Sequence, residues 1–142
     1  EVNIETYGGA LPDFIQVDSP EDGSKFITAS IENPDKVTTL PIVFTGTVSA
    51  NTTKIVVTAE GGDSECDPNH ADEFKRPPFC IMYLKDIYTL QDFKHGDKTF
   101  VYRADYDWNN LTRGDNTYTF TAHYEGNRSS SIIVNINVDF EQ

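Results

Sequence analysis

Apolar residues recur at every second position through the C-terminal half of the chain. In Thr99 to Tyr106 (TFVYRADY), Phe100, Tyr102 and Ala104 share one face. In Thr117 to Tyr124, Tyr118, Phe120 and Ala122 do so, and in Ser131 to Val138 the set is Ile132, Val134, Ile136 and Val138. A period of two is that of a strand buried on one side. Glu125-Gly126-Asn127 turns the last two segments into a hairpin. Nearer the N-terminus, Phe14 to Val17, Lys25 to Ile31, Ile42 to Val48 and Lys54 to Ala59 also read as strands. They are stopped by Ser19-Pro20-Glu21-Asp22-Gly23, Asn33-Pro34-Asp35 and Asn51-Thr52. Gly46 inside the third fits a bulge or a close inter-sheet approach. Ile81 to Leu84 and Ile87 to Leu90 supply apolar and aromatic residues on either side of Lys85-Asp86, and Phe93 to Asp97 reads as a turn. About seven to nine strands, with turn signals roughly every 8–12 residues and no helical period, predict an all-β antiparallel sandwich.

The 142 residues are expected to form one domain, residues 14–142, after a linker or frayed start at 1–13. One segment departs from strand alternation: Glu60 to Cys80 is long, acidic and rich in turn formers, and it reads as an insertion. No apolar run approaches the ~20 residues of a membrane span, so membrane insertion is not expected. No charged-then-apolar leader stands at the start, which is compatible with a leader removed before Glu1. The net charge is −12, and the eleven Lys and Arg residues do not cluster. A phosphate backbone needs a basic stripe, so nucleic acid is not an expected partner. Cationic partners remain open, although acidity serves solubility first.

Cys66 and Cys80 bracket the polar segment DPNHADEFKRPPF. Pairing them would close a loop of about 15 residues and contribute roughly 3 kcal/mol. Two free buried thiols or half of a metal site are the rivals, but there is no Cys-x-x-Cys spacing and no third cysteine. The disulfide is the adopted expectation, and with it an oxidising location: secreted, periplasmic or cell surface.

Three stretches, SPEDGSKF, IVFTGTVSANTTKIVVTA and LTRGDNTYTFTAHYEGN, together resemble bacterial immunoglobulin-like (fibronectin-III-like) domains of secreted or surface proteins. The matching positions are Pro20, Asp22 and Gly23; Gly46 to Ser49; Leu111, Gly114, Asn116 and Tyr118; and Gly126-Asn127. The resemblance runs over residues 14–138 and rests on turn and core positions, so it speaks to fold more than to activity. It implies an immunoglobulin-like sandwich used as a spacer, stalk or binding module. The residues make physical sense on their own terms. Leu111 can plug one end of the sandwich, Gly114 can take a positive φ, Asn116 can bond local backbone, and Tyr118 sits where a corner tyrosine closes such folds. The chain departs from the family in its insertion and in the extra aromatics Phe74, Phe79, Tyr83 and Tyr88.

The candidate chemistry is sparse. Asp63, Glu65 and Asp67 alternate as calcium ligands would, but EF-hand spacing fails at Pro68 and Phe74, and solvated acidic loops are commoner. A second acidic cluster, Asp105, Asp107, Asn109 and Asn110, fails the same tests. Arg113-Gly114-Asp115 matches an integrin-recognition tripeptide, yet Gly114 is already accounted for as a turn residue. His70, His95 and His123 carry no zinc-site spacing and read as surface histidines. No nucleophile motif is present, and an enzyme is not expected; no cofactor is implied beyond the minor calcium option. Trp108, near Tyr106 and Tyr102, either seals an edge or stands exposed as a platform for a sugar. Asn51, Asn110 and Asn127 begin glycosylation sequons at turns. The leading expectation is a non-catalytic extracytoplasmic spacer or protein-binding unit. Its partners would be a protein with a basic patch or neighbouring domains of a larger chain, met through the insertion with Phe74, Phe79 and Trp108 as contacts. The alternative is a carbohydrate-binding accessory module of a cell-wall or polysaccharide-active enzyme, with a glycan held at Trp108.

Overall fold

The structure is a computed structural model that describes residues 12–30, 35, 37–62 and 83–141. Eight strands follow in chain order: β1 Ile15–Ser19, β2 Ser24–Ser30, β3 Ile42–Val48, β4 Thr52–Gly61, β5 Leu84–Thr89, β6 Thr99–Ala104, β7 Gly114–Tyr124 and β8 Arg128–Glu141. They make two sheets, one of three strands in the order β1-β3-β6 and one of five in the order β2-β8-β7-β4-β5. All pairings are antiparallel except β2 with β8, which is parallel. The result is a mostly antiparallel, sandwich-like all-β architecture.

The core forms where the alternating faces meet. Phe44, Phe100 and Tyr102 come from the smaller sheet, Tyr118 and Phe120 from the larger, and their rings approach with centroids 4.6 to 6.0 Å apart. These tilted and edge-on contacts suit the ring quadrupoles. Ile55, Val57 and Ala59 of β4 and Val134, Ile136 and Val138 of β8 complete the buried layer. Gly46 allows a close approach within its own sheet and not between the sheets, since Phe100 lies on β6 and Gln16 on β1, the strands on either side of β3. A Cβ there would lie 2.2 Å from the Phe100 ring and 2.4 Å from the Gln16 carbonyl oxygen. Only a glycine lets the phenyl ring lie across β3.

The link from β6 into β7 is where the local chemistry is densest. Leu111 is buried and Gly114 has φ 93°. Asn116 accepts from the Thr112 amide at 2.9 Å and donates to the Thr112 carbonyl at 2.7 Å, closing the turn with its side chain. The Tyr118 hydroxyl donates to the Asn110 carbonyl at 2.6 Å, a corner bond between strand and loop. Asp22 accepts from the Asn135 main-chain amide at 2.7 Å and ties the β1–β2 turn to β8.

Several boundaries differ from the sequence reading: β4 runs through Glu60 to Gly61, so these two belong to the strand and not to the insertion, and β7 and β8 begin earlier, at Gly114 and Arg128. The apolar pieces flanking Lys85-Asp86 do not separate, because both residues lie within the single strand β5, opposite Glu60 and Ala59. β6 stops at Ala104, since Asp105 turns to cap a short 3-10 turn, Tyr106–Trp108.

Candidate functional site

The two sheets are unequal in width, and that inequality makes a cleft. Among the described residues β6 is the edge of the three-stranded sheet and pairs only with β3, while β5 extends the five-stranded sheet past it and pairs only with β4. The inward phase of β5 is set by its register: Asp86 lies opposite Ala59 and Tyr88 opposite Val57, both buried core residues. Among the described residues no strand of the smaller sheet covers Asp86 and Tyr88, and this phase carries a carboxylate and a 42 % exposed tyrosine instead of aliphatics. Ile87, on the outward phase, is 65 % exposed. The usual polarity of a half-buried strand is reversed here.

The open edge holds a cleft of about 460 Å³, lined by Asp86, Tyr88 and Asp92 on one side and by Val101, Arg103 and Trp108 on the other. Trp108 is 52 % exposed, which settles its position against the edge-sealing alternative. Its placement follows from local chemistry. Asp105 accepts from the Asp107 amide at 3.1 Å as the cap of the 3-10 turn, and Asn109, left-handed at φ 57°, returns its amide to the Tyr106 carbonyl at 3.1 Å. Both ends of the turn are therefore fastened. Tyr106 is half-buried and shares a 2.8 Å hydrogen bond with Thr28.

Asn110 and Tyr102 form the floor. The Asn110 amide donates to the Tyr102 hydroxyl and to the Arg103 carbonyl, each at 2.9 Å, and its oxygen accepts from the Asp105 amide at 2.8 Å. Three of the four hydrogen bonds its side chain can make are spent on holding the cleft together. Burial pushes the Tyr102 phenol up to about 12, with the nearby Asp86 charge adding to the rise and the Asn110 bond opposing it. The phenol is a neutral O–H at any physiological pH.

The other sequence candidates fall in different places. Cys66, Cys80, Phe74, Phe79, His70 and the calcium candidates Asp63, Glu65 and Asp67 lie outside the described residues. Among the described residues, no group of three His, Cys, Asp or Glu side chains is placed to hold a metal ion. In the second acidic cluster, Asp105 and Asn110 are engaged in the capping bonds above. Arg113 Nε donates to Asp139 at 2.8 Å and Asp115 accepts from Asn137 at 2.9 Å, so both charged members of the Arg-Gly-Asp tripeptide are bonded to β8. His95 meets Glu125 at 2.7 Å on the surface. Among the sequon asparagines, Asn110 is buried, Asn51 is half-buried and donates to Asp13, and Asn127 sits exposed at the β7–β8 turn with φ 63°. No helix of the described residues is long and apolar enough to cross a membrane.

Sequence reasoning singled out Trp108 and Tyr88 but missed Asp86, Asp92 and Arg103 as their neighbours. The signal was present in β5, where LKDIYT alternates with Asp and Tyr on the same phase. An acidic residue on the inward phase marks a strand whose inner face is uncovered. Comparisons of the chain with protein-family models, with curated proteins and with solved structures return no match.

Proposed function

We propose that the chain is a non-catalytic, extracytoplasmic immunoglobulin-like module that binds its ligand in the β5–β6 cleft. The observation carrying this is the exposed Trp108 on a capped turn beside an uncovered strand face. Concave sites with an aromatic wall and a few convergent polar groups are where small ligands and partner side chains settle. An indole left half in water costs hydrophobic stabilisation that an edge-sealing position would have gained. The immunoglobulin-like part of the reading is supported by a strand order in which the first two strands divide between the sheets, and by the Tyr118 corner bond. A Cys66–Cys80 disulfide and an oxidising location belong to the same proposal.

The cleft replaces the Glu60–Cys80 insertion as the preferred contact surface, because its geometry is defined by paired strands. The test presents the folded chain and its Trp108→Ala variant to a soluble-glycan array and to a displayed peptide library. Capture by the parent chain that the variant loses supports the reading. Equal behaviour of the two chains on both surfaces overturns it.

A further inference from the structure

We propose that the β5–β6 cleft is a saccharide site for a neutral, equatorially linked pyranose chain, with one ring stacked on Trp108. This deepens the reading that the cleft is the contact surface and rests on it. The argument begins with shape. A pyranose whose substituents are equatorial presents a flat face of axial C–H groups, and that face packs on an exposed indole whose π-surface is electron-rich. The turn that carries Trp108 is fastened by its two caps, so little loop entropy is lost on binding. Tyr88 stands across the cleft as a second aromatic surface. A volume of about 460 Å³ admits a disaccharide unit.

The polar lining fits hydroxyls better than it fits a peptide. Asp86 and Asp92 accept hydrogen bonds and Arg103 donates them. Each sugar hydroxyl both donates and accepts, so vicinal pairs can bridge a carboxylate or a guanidinium. At the floor, the Tyr102 oxygen accepts from Asn110 and its own proton remains to be given to an incoming oxygen. A peptide strand added to either edge would instead need apolar pockets for alternate side chains, and would set backbone carbonyls near Asp86 and Asp92.

Charge selects among sugars. Two carboxylates face one guanidinium in the cleft, on a chain of net charge −12. Uronic and sialic acid polymers meet repulsion both locally and at long range, whereas neutral chains do not.

Trp108 is the chain's sole tryptophan, so its emission reports on this cleft alone. The intact chain is titrated with cellotetraose, with tetra-N-acetylchitotetraose and with tetragalacturonate, followed by fluorescence and calorimetry. The expected result is a saturable blue shift and heat with at least one neutral tetrasaccharide and neither with tetragalacturonate. By calorimetry, Trp108→Ala and Tyr88→Ala each weaken that binding by at least about tenfold, with unchanged β-sheet circular dichroism. Two variants on different elements guard against one failing to fold. Absence of binding by both neutral chains overturns the proposal, as does equal binding of tetragalacturonate or full retention by both variants. Trp108-dependent capture of peptides without any neutral sugar binding removes the saccharide and leaves the cleft as contact surface. Loss of both kinds of capture removes the two readings together.

Discussion

Replacing Asn110 with alanine tests whether one buried amide holds the β6 edge, the phenol floor and the Trp108 turn as a unit. The substitution deletes three hydrogen bonds, to the Tyr102 hydroxyl, the Arg103 carbonyl and the Asp105 amide. At about 1 kcal/mol net for each bond, the expected loss is about 3 kcal/mol, since the groups left behind are only partly reached by water. With an unfolding entropy of about 2.1 cal/mol/K per residue, 142 residues give about 0.3 kcal/mol/K, and the midpoint should fall by about 10 °C. The Tyr118 bond goes to the Asn110 main chain and survives the substitution, so it is outside this sum. Urea unfolding followed by circular dichroism measures the loss, with the slope against urea checked for constancy. Trp108 emission should also move toward that of free indole in water as the turn loosens. Asn110→Asp is a near-isosteric control. It keeps an oxygen for the Asp105 amide but sets a second oxygen against the Arg103 carbonyl, so it should be no more stable than the alanine variant. A loss under about 1 kcal/mol for Asn110→Ala, or an aspartate variant as stable as the parent, refutes the idea that this network holds the edge.

Three further outcomes are expected. Gly46→Ala forces a methyl group into the Phe100 ring and the Gln16 carbonyl, and overpacking should cost about 1–3 kcal/mol or more; Phe100→Leu in the same chain should restore only part, because the carbonyl remains. A midpoint unchanged by Gly46→Ala sinks this account of the glycine. Burial raises the Tyr102 phenol to about 12 and raises Tyr118 as well, so both hold their protons in the folded state after the unfolded chain has released them. The Tyr102 contribution is complete below about pH 10 and is lost as the pH climbs through its folded value of about 12, and the Tyr118 contribution is lost in the same direction. Unfolding by urea at pH 9 and 11 should therefore show lower stability at 11, with a smaller difference in Tyr102→Phe; an identical difference argues against it. Secretion from a host that attaches N-glycans should load Asn127 and leave the buried Asn110 bare, which peptide mass spectrometry reads directly; a glycan on Asn110 contradicts the burial assigned to it.

Strand existence was legible wherever alternation was strict, as in β7, where every second residue from Asn116 to Tyr124 is buried. Turn chemistry was legible too. Gly114, Asn116 and Tyr118 each act as their types suggest, because their bonds are local and a short stretch of sequence contains both partners. The strand order was not legible, since pairing joins residues more than a hundred apart, as between Ser24 and Ile136. The cleft escaped for the same reason. Asp86 and Arg103 line one cleft because one sheet is wider than the other, and sheet width is a property of the pairing order. β5 was misread as two pieces because Lys85-Asp86 looked like an interruption; on an uncovered strand face a carboxylate is simply allowed.

The parallel pairing of β2 with β8 bears on how the molecule would carry load. Asp13 is held beside Arg128, at the start of β8, with the ion pair at 3.1 Å, while Glu141 closes the far end of that strand. At about 3.3 Å per residue, the 14 residues of β8 separate these points by over 40 Å along the strand axis. Tension applied at the two places would drag β2 and β8 in opposite directions along their common axis. Their bonds, from Ser24 with Ile136 to Ser30 with Glu141, would be strained together in shear and not peeled one after another. Rupture then requires the whole row to give way at once. A link in a chain under tension is best built that way.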